Sequence, residues 1–300
     1  MAGLKLMTQR VPLGKIITYA VLVSWALVCL FPLYWVAVTS LKGEAEIIRG
    51  PFYIPFVDFT PTLDSWRFIL ADPNDNLRMK FFNSAVVGLT STVLALLLGG
   101  MAVYGLTRFR LALPWRGFGN NGILAAILAT RILPPIVIVL PVYMMATYTG
   151  MLDTRFALIF TYTAANLPVA VWLLQPIFGE RATEQEEAAQ LDGASHMAIF
   201  FTIFVPMVAG SVAAVGLLIF ILCWNEYLFA VYLAGDHAMT LPPWLVGQMS
   251  MKEAQVGGEA EEWARLSAAT VLMVVPVLAC AAAVQRFLGR MALWSQRFQS

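Results

Sequence analysis

Six apolar runs, at about 16–39, 82–106, 120–145, 157–177, 200–233 and 263–285, constrain this chain more than any other feature of its sequence. Each is long enough to cross the hydrocarbon core of a bilayer, which takes about 20 helical residues. In that solvent every backbone N–H and C=O must be satisfied within the segment, so runs of this length form helices. The sequence therefore predicts an all-α, polytopic membrane protein with six transmembrane helices. Composition agrees: 60% of the 300 residues are hydrophobic and 12% are charged, where a soluble domain carries roughly 25% charge. Mean hydropathy is +0.75. The first run follows Lys5, Arg10 and Lys15. At roughly 24 residues it exceeds a signal-peptide core of about 7–15 and is read as an anchor.

An even number of spans puts both termini on one side. Lys and Arg in short flanking segments choose that side. The N-terminal tail carries Lys5, Arg10 and Lys15, the segment "TRFRLALPWRGFG" carries Arg108, Arg110 and Arg116, and the C-terminal tail carries Arg286, Arg290 and Arg297. None of the three holds an acid, so all three are expected to be cytoplasmic. The organisation that follows is a cytoplasmic tail (1–15), a membrane domain (16–285) and a second cytoplasmic tail (286–300). External loops fall near 43–81, 146–156 and 234–262, and a cytoplasmic loop at 178–199.

Several function classes drop out. A net charge of +1 with aromatics confined to apolar runs leaves no basic surface for nucleic acid. Cys29, Cys223 and Cys280 lie far apart inside apolar segments and read as packing residues. His196 and His237 form no HExxH pair, so no metal site is expected. Without GxxxxGK[ST] the chain is not expected to cradle nucleotide phosphates, and it is not read as an enzyme; no catalytic residue is assigned.

Proline recurs inside the spans, at Pro32, Pro134, Pro135, Pro141, Pro168, Pro206 and Pro276. Each removes a backbone donor, which lipid tolerates only where protein or water repairs the loss. The run "RILPPIVIVLP" at 131–141 predicts a bent helix, either a static kink or a segment that faces protein or a cavity.

Residues 186–206, "EEAAQLDGASHMAIFFTIFVP", form a polar island that runs into an apolar wall. Upstream of and within it, Glu180, Glu184 and Glu187 fall at i, i+4 and i+7 and share one helical face. Ala188 and Ala189 leave room for another surface, and Gly193 permits a turn that a side chain would hinder. The pattern predicts a helix-turn-helix at the cytoplasmic face, either a solvated loop or a docking element.

The order Glu187-Ala188-Ala189, three residues, Gly193, nine residues, Ile203-Phe204-Val205-Pro206 resembles the EAA loop of ABC importer permeases, with Val205 in place of the usual leucine. "EEAAQLDGA" is similar to the carbohydrate, maltose-type branch. Other marks follow in order: "FFNS" at 81–84, "YGLTR" at 104–108, "LPP" and "LPVY" within 133–143, "LDT" at 152–154, "LPVAVW" at 167–172, "WNEY" at 224–227, "TLP" at 240–242 and "QRFLG" at 285–289. The chain departs from its relatives at Arg181, Ala182 and Gln185 before the motif, and in its last residues, "RMALWSQRFQS".

The resemblance implies a type I ABC importer permease fold in a prokaryotic inner membrane. The implied partners are a second permease, two ATP-binding subunits that hold ATP and Mg, and an external solute-binding protein. It implies that residues 178–199 are the coupling loop: Glu187 pairs with a basic group of the ATPase, Ala188 and Ala189 make the close contact, and Gly193 sets the turn. Glu184, Asp192, Ala194 and Pro206 complete the coupling set.

For the substrate pathway the candidates are Asn83, Arg131, Tyr143, Trp224, Asn225, Glu226 and Tyr227. Arg131 and Glu226 are ionisable groups within predicted spans, where charge is costly and marks function by default. They either pair with each other or face a wet cavity. Asn225, Glu226 and Tyr227 offer donors and acceptors to sugar hydroxyls, and Trp224 offers a flat face to a pyranose ring; the alternative places Trp224 and Tyr227 in the interfacial aromatic belt. Asn83 also suits a helix cap. Two rival readings are an ion-driven secondary transporter or channel, which calls for inverted repeats and buried ion-binding carboxylates, and an intramembrane enzyme using Ser195 and His196, which lack the second glycine of GxSxG.

Overall fold

The computed structural model describes residues 13–71, 76–110, 119–179, 183–250 and 259–297. Lys5, Arg10, Arg116, Glu180, Arg181 and Ala182, singled out above, lie outside the described residues, as do the side chains of Glu184, Arg290 and Arg297. The described residues are mostly helical and contain no strand. They divide into two compact units, 1–72 with 252–272, and 73–251 with 273–300.

The first unit holds α1 (Leu13–Thr39), α2 (Glu44–Arg49) and α3 (Asp64–Ala71). The most apolar stretch of α1 buries none of its residues within the chain, as lipid-facing helices do. Past its end the backbone is pinned by side chains. Trp66 Nε1 donates to Ser40 Oγ (3.3 Å), Tyr34 OH donates to the Tyr53 carbonyl (2.6 Å), and Asp58 accepts from the N–H groups of Tyr53 and Ile54 (both 2.9 Å). Lys42, only 3% exposed, holds its ammonium 4.4 Å from the Trp35 ring centre, and burial lowers its pKa below the usual lysine range.

The second unit is built on α4 (Leu77–Arg108). After it come α5 (Asn120–Ala129), a 3-10 turn at Thr130–Ile132, and α6 (Pro135–Tyr148). The chain bends by 91° between these two helices. The bend has a local cause: Leu133 and Pro134 each precede a proline, whose Cδ excludes helical ψ, and they sit at ψ 128° and 132°. α7 (Arg155–Gly179) and the polar α8 (Thr183–Leu191) follow. Then come α9 (His196–Ile199), a π-helical turn at Phe200–Phe204, α10 (Val205–Met207) and α11 (Ala209–Trp224). Pro206 accounts for the π turn, since its ring clashes with the carbonyl four residues back and loosens the preceding ladder. A second bend, of 84°, falls at Val208. α12 (Leu228–Leu233) and α13 (Leu241–Ser250) follow, and of the long α14 (Glu259–Arg297) the part from Met273 onward belongs to this unit and the part before it to the first.

Among the described residues, four single helices are long and apolar enough to cross a membrane, and up to six spans result if each bent pair counts as one. The run expected to be one helix over 200–233 is instead broken at Val208 and again at Asn225 and Glu226.

α4 packs along α7 with almost no gap. A Cβ placed on Gly99 would come 2.7 Å from that of Ala170, and one on Gly216 of α11 would meet Leu96 at 2.9 Å. Small residues allow backbones to approach where water supplies no hydrophobic drive, as in membrane bundles generally. Val87, Ala95, Leu158, Val171, Leu174 and Ile219 fill the seam.

Candidate functional site

The polar island folds as a helix, a turn and a helix. α8 ends in a Schellman motif: Ala194 N–H donates to the Ala189 carbonyl and Gly193 N–H to that of Gln190, both at 3.0 Å. Gly193 occupies the left-handed region at φ +82°, where a Cβ is disfavoured. The next helix starts on Ser195, whose Oγ accepts from Ala198 N–H at 3.2 Å as an N-cap, while the His196 ring lies 4.8 Å from that of Phe109. The Ser195–His196 neighbourhood thus has a packing and capping explanation.

α8 has an inner and an outer side. Glu187, Ala188, Asp192 and Gly193 are exposed, Ala189 and Ala194 are half-buried, and Pro206 is exposed further on. Leu191 is 90% exposed, an unusual position for a large apolar side chain at the end of a polar helix. One residue before Glu187, Glu186 is buried. Its carboxylate accepts a two-pronged bond from Arg108 at the end of α4, Nε to Oε2 at 2.7 Å and Nη2 to Oε1 at 2.9 Å. Arg108 Nη1 also donates to the Phe178 carbonyl at 3.3 Å, and Tyr104 OH lies 3.5 Å from Glu186 Oε2. Rings of Tyr104, Phe178, Phe200 and Phe204 stack beneath, with centres 4.6 to 5.5 Å apart in successive pairs. Sequence reasoning missed Glu186 and Leu191. The arginine that closes "YGLTR" was the available signal for Glu186.

A second polar cluster ties the other end of the core. Asn83 Nδ2 donates to the carbonyls of His237 and Met239, both at 2.9 Å, and its Oδ1 accepts from Arg155 Nε at 2.6 Å. Ser84 Oγ accepts from Leu241 N–H at 2.8 Å. Asp153, at φ +56°, accepts from the N–H groups of Gly235 and Ala238 at 2.8 Å and of His237 at 3.1 Å. Burial pushes the Asp153 carboxyl up, but these three donors outweigh it and hold the group below the usual carboxylate range. "FFNS", "LDT" and the approach to "TLP" meet here.

Two of the pathway candidates, Asn83 and Trp224, are taken up by packing, and the others are at least partly exposed. Asn83 is fully buried within α4, neither a helix cap nor open to a ligand, because its amide cross-links a loop more than 150 residues away. Trp224 is 2% exposed, packed on Phe81 and Phe220, with Nε1 donating to the Met273 carbonyl at 3.1 Å, so it presents no face to a sugar ring and does not stand in an interfacial belt. Tyr143, Asn225 and Tyr227 are exposed and Glu226 is half-buried. Among the described residues there is no ion pair between Arg131 and Glu226. Arg131 Nη1 donates to the Ala165 carbonyl (3.1 Å) and Glu226 Oε1 accepts from Phe229 N–H (3.2 Å). Arg131 lines a cavity of about 650 Å³ beside the first bend, walled by Val142, Met145, Phe156, Phe160 and Pro168.

Long apolar helices and two bent pairs, together with a polar helix-turn-helix anchored to the helical core, fit a multi-pass membrane protein. Residues 109–292 match the family described as "Binding-protein-dependent transport system inner membrane component". The chain belongs to that family and is an ABC transporter permease. It is similar to the probable ABC transporter permease protein y4oR of Sinorhizobium fredii, with 35% identity over 88% of each chain. It is also similar to the diacetylchitobiose uptake system permease protein NgcG of Streptomyces coelicolor, with 32% identity over 90% of this chain and 84% of the relative. A crystal structure of a bacterial ABC transporter involved in the import of the acidic polysaccharide alginate has a chain of the same fold (TM-score 0.71, 21% identity, 91% of this chain and 96% of that one).

Proposed function

We propose that this chain is one of two permease subunits of an ATP-driven, binding-protein-dependent importer for a sugar or related polyol in a prokaryotic inner membrane. The observation that carries the reading is the orientation of α8: Glu186 is locked inward while Glu187, Ala188 and Leu191 stand outward. Such a face, acidic at one point and apolar at the next, fits a groove on another subunit better than it fits water. Glu187 meets a basic group of the ATP-binding subunit, Ala188 and Ala189 allow close approach, Leu191 enters an apolar recess, and Gly193 holds the turn, with Glu184, Asp192, Ala194 and Pro206 framing the element. ATP and Mg act in that partner.

Each bent pair is one span, giving six, and the Lys and Arg of the flanks set both termini and α8 on the cytoplasmic side. Relatives named for a sugar substrate support the substrate class. The Arg131 cavity, with exposed Tyr143, Asn225 and Tyr227 and half-buried Glu226, forms this subunit's share of a pathway that the second permease completes. ATP and the loaded binding protein drive the switch by preferring one of its states.

The test is a mild-detergent pull-down of tagged protein from its native host. Recovery of an ATP-binding subunit, lost on Glu187→Lys, is the expected result. A chain that purifies alone and carries solute on an ion gradient would overturn the reading.

A further inference from the structure

We infer that Arg108 and Glu186 are positioning residues for coupling: their ion pair is the rigid link by which movement of α8 reaches the ends of α4 and α7, and neither touches the ATPase. The inference rests on the reading of α8 as the element that receives nucleotide-driven motion.

One guanidinium joins three helices. Arg108 is the last residue of α4, it holds α8 through both oxygens of Glu186, and it holds α7 through the Phe178 carbonyl in that helix's final turn. A two-pronged arginine–carboxylate bond fixes orientation as well as distance, which a lysine, a point charge on a flexible stem, does not. The side chains are 14% and 3% exposed, so parting them would leave a largely buried charge uncompensated, a cost that favours a pair closed throughout the movement of α8. Phe204 and Tyr104 lie 5.5 and 5.7 Å from the guanidinium carbon and keep its plane in place. The cation also sits at the C-terminal end of α4, where the helix dipole favours it.

Geometry separates this role from docking. Successive residues of an α-helix point about 100° apart, so a Glu186 held against α4 turns Glu187 to the exposed side. Gly99 against Ala170 then joins α4 to α7 further along, so the ends of the two helices move together. The pair thus sets the direction of the docking face and carries its displacement.

The experiment uses the full complex in liposomes with its own ATP-binding subunits, second permease and binding protein. Co-purification of the ATPase, ATP hydrolysis and solute imported per ATP are measured for Glu186→Gln, Arg108→Lys and the exchange Arg108→Glu with Glu186→Arg. Both single variants should retain the ATPase while import per ATP falls about tenfold, within the range for residues that carry coupling, and the exchange should recover part of the loss. Import per ATP at the wild-type value in Glu186→Gln overturns the inference. So does loss of the ATPase from that variant, which makes Glu186 a docking residue. If Glu187→Lys keeps its ATPase, the docking reading fails, while the ratio still reports on the pair.

A second measurement covers variants that fail to fold. Nitroxide labels at Gln190 and Leu98, with Cys29, Cys223 and Cys280 replaced by alanine, report the distance between α8 and α4 with and without trapped ATP. An unchanged distance while the complex switches supports the link, and any change beyond the width of the label distribution overturns it.

Discussion

Asp153 shows how one side chain can hold a loop that no periodicity marks. Three N–H donors from 235–238 converge on its carboxylate and keep its pKa below the ordinary value. A native pKa below the unfolded one means that the charged form stabilises the fold. That contribution is fully present above the unfolded value of about 3.9 and is lost as pH falls through the lower native value. Asp153→Asn should therefore be less stable than wild type at neutral pH, and the gap should close below pH 4. Thermal unfolding in detergent as a function of pH checks this; a gap that is constant with pH would refute it. Gly235 belongs to the same arrangement, since a Cβ there would come 3.0 Å from Asp153 Oδ2.

At the scale of elements, the α4–α7 seam sets the geometry at both ends. Gly99 allows contact at a separation that a valine forbids, so Gly99→Val should cost roughly 1–3 kcal/mol by overpacking. Gly105 lies on the same helix with open space where its Cβ would be. Gly105→Ala should be neutral or stabilising by up to about 1 kcal/mol. Thermal stability of the two purified variants decides, and equal effects would show that the seam tolerates separation. The seam also runs between the two polar clusters. Asn83 and Arg108 lie about 38 Å apart along α4 at ~1.5 Å per residue, more than the ~30 Å of a bilayer core. One helix thus connects the Asp153 cluster to the Glu186 pair.

For the whole molecule, the proposed function makes transport depend on a partner that α8 must reach. Glu187→Lys reverses the exposed charge, and Gly193→Pro forbids φ +82°. Together they should abolish uptake in cells while leaving the amount of protein in the membrane unchanged. Quantitative membrane blotting alongside labelled-sugar uptake separates lost coupling from lost insertion, and normal uptake would sink the coupling assignment.

Much of this architecture was legible because a bilayer imposes a length on every span and local chemistry announces itself. The apolar runs located the helices of α1, α4, α7 and α14, the paired prolines located the first bend, and Gly193 located the turn after α8. The direction in which each polar residue points was not legible. Period alone placed Glu184 and Glu187 on one face and left Glu186 unremarked, because its partner Arg108 lies 78 positions away. Asn83 read as a pathway residue or a helix cap, and Trp224 as a sugar platform or a belt residue, for the same reason: a carbonyl at His237 or Met273 leaves no trace in the local pattern. By itself the sequence determined a polytopic membrane protein, the long helices and the turn after α8, since these follow from hydrophobic length and short-range spacing, while the family came from a resemblance of motifs. Only the tertiary structure decided which side of α8 is anchored and which is free, because burying a carboxylate requires a cation that the fold alone brings within 3 Å.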